Sequence, residues 1–160
     1  MIRIGVTGGI GSGKSTLCKT IAELGIPVYN ADERAKAVMA HDEAVRKAII
    51  REFGEETYAG SIPDRTALAA AVFADPEKLA RLNAIVHPVV FADFESWARE
   101  QERQGAKAVA VESAILVESG MVKSVDKVIA VEAPEAVRIE RVTRRDGMNE
   151  AAVKARIARQ

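Results

Sequence analysis

The sequence predicts a three-layer α/β fold, a parallel sheet flanked by helices, and three observations predict it. Short β-type runs at residues 2–6, 26–29, 109–111 and 127–131 are separated by segments with helical spacing. The first run leads straight into TGGIGSGKST, residues 7–16, in which four of ten residues are glycine. A helical pattern resumes at residue 14, so strand, glycine turn and helix follow one another with no linker between them.

Each element has a local reason. Between residues 14 and 24, Leu17, Ile21 and Leu24 fall at spacings of four and three, one face of a helix. Gly25 stands just beyond, where a left-handed residue closes a helix. IPVY, residues 26–29, reads as the second strand; helices follow over about 32–40 and 43–53, and residues 68–73 also read as helical. Asp75-Pro76 is a helix start, because the carboxylate caps and proline fits the first turn. Pro88 lacks an N–H and presses His87 toward extended geometry, so the run from 76 to 86 is expected to end there and a new helix to begin at Pro88. Leu79, Leu82, Val86, Val89, Val90, Phe94 and Trp97 recur mostly at helical spacing and read as core. After the third and fourth strands, Pro134 opens a helix that stops near Asp146-Gly147, and Asn149 caps a last helix running to the end. The stretch 31–104 carries no strand pattern, and is expected to form a helical insertion beside the sheet, suited to gripping a substrate.

Composition bounds the function. At 160 residues the chain has one domain's length, with 48% apolar and 29% charged residues, a globular balance. Lys plus Arg equals Asp plus Glu at 23 each, which argues against general nucleic-acid coating. A single cysteine rules out an intrachain disulfide framework and fits a cytoplasmic location. No run has the length and apolarity to cross a bilayer, and the N-terminus lacks the pattern of a secretory signal, so no membrane partner is expected.

Gly8-x-x-x-x-Gly13-Lys14-Ser15 matches the phosphate-binding P-loop. Glycines let successive backbone N–H groups turn inward around phosphate oxygens, and the helix behind aims its positive end at the anion. Gly8, Gly11, Ser12, Gly13, Lys14, Ser15 and Thr16 are the expected ATP-binding set, with Lys14 reaching the outer phosphates and Ser15 ligating Mg²⁺. A base-reading Asn-Lys-x-Asp string, as in GTPases, is absent. Glu112 ends the third strand, where an acidic residue can hold the Mg²⁺ shell; the alternative is an ordinary loop carboxylate. Asp32 follows the second strand. If that strand neighbours the first, Asp32 lies near the mouth of the loop and can take a proton from an attacking hydroxyl. Alternatively it complements a helix dipole, with Asn30 and Glu33 forming a capping box. Arg138, Arg141 and Arg145 share one helical face; it is either a solvated basic face or a lid that closes over transferring phosphates.

Taken in order, these strings resemble the dephospho-CoA kinases. The resemblance is carried by Thr7-Gly-Gly-Ile-Gly-Ser-Gly-Lys-Ser15, Asn30-Ala-Asp32, Asp64-Arg65 with Leu68, Ile85-Val-His87-Pro88, Glu112-Ser-Ala-Ile-Leu-Val-Glu118, Arg141 with Arg145, and Arg156-Ile-Ala-Arg-Gln160. It spans essentially the whole chain. It implies a single P-loop kinase domain, with a core of about 1–30 and 105–135, an insertion of about 31–104, and a lid with C-terminal helices of about 134–160. It implies transfer of the ATP γ-phosphate to the ribose 3′-hydroxyl of dephospho-CoA, the final step of coenzyme A synthesis. Asp32 and Lys14 would then be catalytic together with Arg141 and Arg145, while Asp32, Arg65 and His87 would contact the acceptor. Two positions depart from the family pattern: Asn30 replaces an aspartate, leaving the base role to Asp32, and Ala114 stands where proline is common. The family continues with a further helix and strand that help hold adenine, so this chain is expected to lack the last strand. The residues alone leave open another small-molecule or nucleoside monophosphate kinase, or a module that binds ATP without transferring phosphate. They do not give an oligomeric state.

Overall fold

The computed structural model describes residues 1–72 and 75–158. The first apolar run forms β1 (Ile2–Thr7), and the glycine turn delivers the chain into α1 (Lys14–Glu23). Three further strands join β1 in one parallel sheet: β2 (Val28–Asn30), β5 (Ala108–Glu112) and β6 (Lys127–Ala130), in the order β2-β5-β1-β6. Register aligns Val6 with Glu112 on one side and with Ile129 on the other. Val109, Ala110 and Val111 are all fully buried. A parallel strand between two others is covered on both faces, which is why β5 reads as a continuous apolar run rather than an alternating one. Val6, Ala110, Cys18 and Ile21 form a core cluster with Ile4, Leu17, Ile26 and Val28 packed against it, so the apolar stripe of α1 lies on the sheet. Each valine, leucine or isoleucine among them stabilises the fold by roughly 1.5–3 kcal/mol when fully buried.

Two compact units divide the chain. One comprises Met1–Asn30 and Ala98–Gln160, the other Ala31–Trp97. The first unit also holds α6 (Glu135–Asp146), ended by left-handed Gly147, and α7 (Glu150–Ile157), capped by Asn149, whose Oδ1 accepts from the Ala152 N–H at 2.8 Å. Val142 and Val153 are buried in these two helices, which pack together.

The second unit contains α2 (Ala31–His41), α3 (Glu43–Phe53), a small hairpin of β3 (Tyr58–Ala59) and β4 (Ile62–Pro63), α4 (Arg65–Val72) and most of α5 (Pro76–Arg103). Asp42 caps α3 by accepting from the Val45 N–H at 3.0 Å. Asp75 caps α5 through the Glu77 and Lys78 N–H groups. The hairpin is held by Tyr58, whose hydroxyl donates to the Met39 carbonyl at 2.8 Å, and by Arg46, which donates to the Gly60 carbonyl at 2.8 Å.

Several expectations change. The segment 31–104 does contain strands, but two-residue strands are too short to show a period. The helix does not break at His87-Pro88: α5 runs unbroken with Pro88 inside it. Proline removes one backbone bond there, whereas Leu82, Val86, Val90 and Phe94 are buried on both sides of it, and that burial outweighs the local loss. The second strand starts at Val28 rather than residue 26, since Pro27 has no N–H for the ladder; its carbonyl still accepts from Ala110 at 2.9 Å. That strand pairs with β5 and not with β1, so the condition that would have set Asp32 beside the loop through adjacent strands is not met. The helix expected at 68–73 starts earlier, at Arg65, because Asp64 caps it through the Thr66 and Ala67 N–H groups. Phe73 lies outside the described residues, as do Arg159 and Gln160, and the last described helix ends at Ile157.

Candidate active site

The loop between β1 and α1 needs its glycines. Gly8, Gly11 and Gly13 have φ of +153°, +75° and +102°, values that side chains resist. A Cβ on Gly8 would lie 2.4 Å from the Val131 carbonyl oxygen, and one on Gly11 would lie 2.6 Å from that of Arg138. Gly13 begins α1 with no side-chain cap; the Thr16 N–H turns back to the Gly13 carbonyl at 3.0 Å, and the N–H groups of Lys14 and Ser15 stand at the positive end of the dipole, where an anion is favoured. Ser12 is buried, and its hydroxyl has no hydrogen-bond partner. A buried unpaired hydroxyl costs free energy, which a phosphate oxygen in the loop would offset.

Glu112 is the buried carboxylate at the carboxyl end of β5. The Ser15 hydroxyl donates to its Oε1 at 2.8 Å, the Lys14 ammonium lies 3.7 Å from the same oxygen, and the Asn30 amide donates to Oε2 at 3.2 Å. Lys14, Ser15 and Glu112, expected to serve one site, are therefore one cluster. Its oxygen donors are hard and suit Mg²⁺. Among the described residues no group of three or more His, Cys, Asp or Glu side chains converges. A divalent ion here would thus rest on a hydroxyl, a carboxylate and its ligand's phosphates, the usual habit of Mg²⁺. Cys18, one turn along α1 from Ser15, is buried; burial, and then the Glu112 carboxylate, push its thiol up to about 12. It stays protonated and serves the core.

The arginines of α6 divide. Arg138 Nε donates to the Ile10 carbonyl at 2.9 Å, and Arg141 Nη1 donates to the carbonyls of Gly11 and Ser12, each at 3.2 Å. Both lie on the loop. Arg145 instead forms a two-pronged pair with Asp146, at 2.6 and 2.9 Å, and Arg144 takes the Glu140 pairing its spacing foretells, at 2.6 Å. A cleft of about 380 Å³ beside the loop is lined by Gly8, Gly9, Ser12, Glu118, Arg138 and Ile157 among others.

The remaining candidates lie in the second unit. Asp32 is in the first turn of α2 and half-buried. Arg65 opens α4, is exposed, and is near enough to Glu33 to help, after Lys36, hold that carboxyl below its usual range. His87 stacks on Phe91 within α5 at 5.9 Å, and burial lowers its imidazole below the ordinary value. Thr16 is exposed in the first turn of α1.

Asn30 is the contact that sequence reasoning missed. Its sequence context gives a cap and a departure from an aspartate pattern, while its amide holds the Glu112 carboxylate. The signal lies in sheet register, which sets Asn30 opposite Glu112, and register is not written in spacing.

A family model described as CoaE, dephospho-CoA kinase, matches residues 2–160. The dephospho-CoA kinase of Porphyromonas gingivalis is 44% identical over 160 residues, covering all of this chain and 78% of that protein. The one from Salinibacter ruber is 42% identical over 161 residues, covering all of this chain and 81% of its own length. Among solved structures, TT1252 from Thermus thermophilus superposes with a TM-score of 0.83 at 36% identity, covering 99% of this chain and 80% of that one. Dephospho-CoA kinase from Campylobacter jejuni gives 0.68 at 27% identity, covering 98% of this chain and 78% of that one. Shikimate kinase from Acinetobacter baumannii, at 14% identity and a TM-score of 0.52 over 97% of this chain and 73% of that one, shares the fold.

Proposed function

The chain belongs to the dephospho-CoA kinase family, and on that premise we propose how its residues divide the labour of the family's reaction. That reaction is ATP-dependent phosphorylation of dephospho-CoA, in coenzyme A biosynthesis, so ATP and dephospho-CoA are its small-molecule substrates. The acceptor is the ribose 3′-hydroxyl. Its oxygen attacks the γ-phosphorus as the bond to the β-bridging oxygen breaks; ADP leaves with that electron pair, and the hydroxyl proton passes to Asp32. Phosphoryl transfer of this kind asks little covalent chemistry of the protein and much positioning and charge.

The observation that carries the reading is the Lys14–Ser15–Glu112 cluster at the mouth of the glycine loop. Backbone N–H groups of the glycine loop, with those of Lys14 and Ser15 at the start of α1, cradle the β- and γ-phosphates, while those of Ser12 and Thr16 close the loop on the Gly9 and Gly13 carbonyls; Lys14 neutralises the phosphate charge. Ser15 and Glu112 would hold Mg²⁺, which when bound supplies charge neutralisation across the phosphates. Arg141, lying on the loop, clamps the charge that spreads in transfer; Arg145, one turn further along α6, would join it only by leaving its pair with Asp146. Asp32 stands two residues beyond the end of β2 and orients the acceptor hydroxyl, Arg65 binds an acceptor phosphate as a fork, and His87 shapes the acceptor site. The domain is organised as a core with a substrate-binding insertion at about 31–104 and a lid with C-terminal helices from about 134. We place the activity in the cytoplasm, acting on small molecules without nucleic acid or membrane; among the described residues no helix is long and apolar enough to cross a bilayer.

Incubating the full chain with Mg-ATP and dephospho-CoA and following CoA by chromatography tests the assignment, with CoA and ADP expected in equal amounts. ADP release only with a different acceptor would sink it. Asp32→Asn is expected to lower kcat by 100-fold or more, about the contribution of a general base, while ATP affinity changes by less than threefold. A kcat kept near wild type would reduce Asp32 to a helix-dipole residue.

A further inference from the structure

Three consecutive loop carbonyls are held from outside. Ile10 accepts from Arg138 at 2.9 Å, and Gly11 and Ser12 accept from Arg141 at 3.2 Å. When a chain turns its N–H groups inward around an anion, its carbonyls must turn outward, and outward carbonyls need donors. The two arginines supply them. Their settings differ. Arg141 is exposed, and one nitrogen, Nη1, makes both of its bonds, leaving the rest of a five-donor fork for a ligand. Arg138 is half-buried and lies flat on the loop: a Cβ built on Gly9 would fall 2.2 Å from its Nη2 and 2.8 Å from Cζ. Gly9 does not have a left-handed φ, so its backbone does not require glycine. A Cβ there would meet the end of the flexible Arg138 side chain, which would have to leave its place on the loop to make room.

We infer that Arg138 is a positioning residue for nucleotide binding: through the Ile10 carbonyl and the bare surface of Gly9 it sets the glycine loop in its phosphate-accepting shape. Gly9 and Arg138 form one device, in which glycine makes room and the guanidinium fills it. Setting the loop beforehand removes ordering cost that the nucleotide would otherwise bear. The brace grips loop backbone rather than the γ-phosphate, so it acts on ATP and ADP alike. The inference rests on the reading of this loop as the ATP phosphate site.

The test measures ATP and ADP affinity by calorimetry, with kcat and KM, for wild type, Arg138→Ala, Arg138→Lys, Gly9→Ala and the Gly9→Ala/Arg138→Ala double variant of the full chain. Arg138→Ala is expected to weaken both nucleotides about tenfold, the loss of one charge-assisted bond. KM for ATP rises by a similar factor, and kcat falls by less than threefold. Arg138→Lys regains part of the affinity, since an ammonium can reach one carbonyl without covering Gly9. Gly9→Ala displaces the guanidinium and matches Arg138→Ala. The double variant binds no worse than either single one, because both break the same contact. Three results each overturn the inference: Arg138→Ala binding as wild type does, a loss confined to ATP, or losses that multiply in the double variant. Wild type failing to bind ATP would overturn the phosphate-site reading and the inference with it.

Discussion

Glu112 shows how much one side chain can organise. It is buried at the end of β5, where an isolated carboxylate would be costly, and it is tolerated because Lys14, Ser15 and Asn30 surround it. Its two oxygens are divided between partners: Ser15 and Lys14 at Oε1, Asn30 at Oε2. Glu112→Gln keeps the volume and removes the charge. It is expected to raise the Mg²⁺ concentration needed for half-maximal activity by about 10–100-fold, the usual scale for disturbing a metal's ligand shell. An unchanged Mg²⁺ titration would exclude Glu112 from the metal site. At this scale the sequence was informative where the chemistry demands a residue type at a fixed spacing. Lys14 and Ser15 were legible because loop and helix are contiguous. The partners of Arg138, Arg141 and Arg145 were not, since spacing gave one shared face and only side-chain packing assigns two of them to the loop and the third to Asp146.

At the scale of elements, a local determinant makes some caps legible, though the equally local Asp64 cap goes unread and α4 starts earlier than expected. Asn149 and Asp75 cap as their positions foretell, and Gly147 closes α6. Asp42 is a cap of the same kind, one residue before α3. Asp42→Ala is expected to cost about 1 kcal/mol, visible as a lower urea midpoint with an unchanged slope. No shift would mean that water replaces the cap at no cost. Elements fail to be legible where a local rule is overridden from outside. Pro88 is a helix breaker by its own chemistry, yet α5 continues through it because the apolar face on either side is buried. The β3–β4 hairpin is the opposite case, too short to have a pattern, and held by the Tyr58 and Arg46 bonds to distant carbonyls.

At the scale of the molecule, sheet order governs stability and chemistry together. β1 and β5 each have a strand on both sides, while β6 has β1 on one side and is exposed along its length. Native-state hydrogen exchange of the 160-residue chain should therefore find its slowest amides in β1 and at Val109–Val111 of β5, with those of β6 faster. Exchange in β6 as slow as in β1 would contradict that ordering. The sequence by itself determined the α/β class, the glycine loop with its helix, the acidic end of the third core strand and the family, because each is written in contiguous residues or in an ordered set of short strings. Tertiary structure alone decided that β2 lies against β5, that Asn30 therefore meets Glu112, and that Arg138 rests on Gly9. The physical reason is that strand order and side-chain destinations depend on which surfaces bury against each other across long sequence separations, and no local period records that choice.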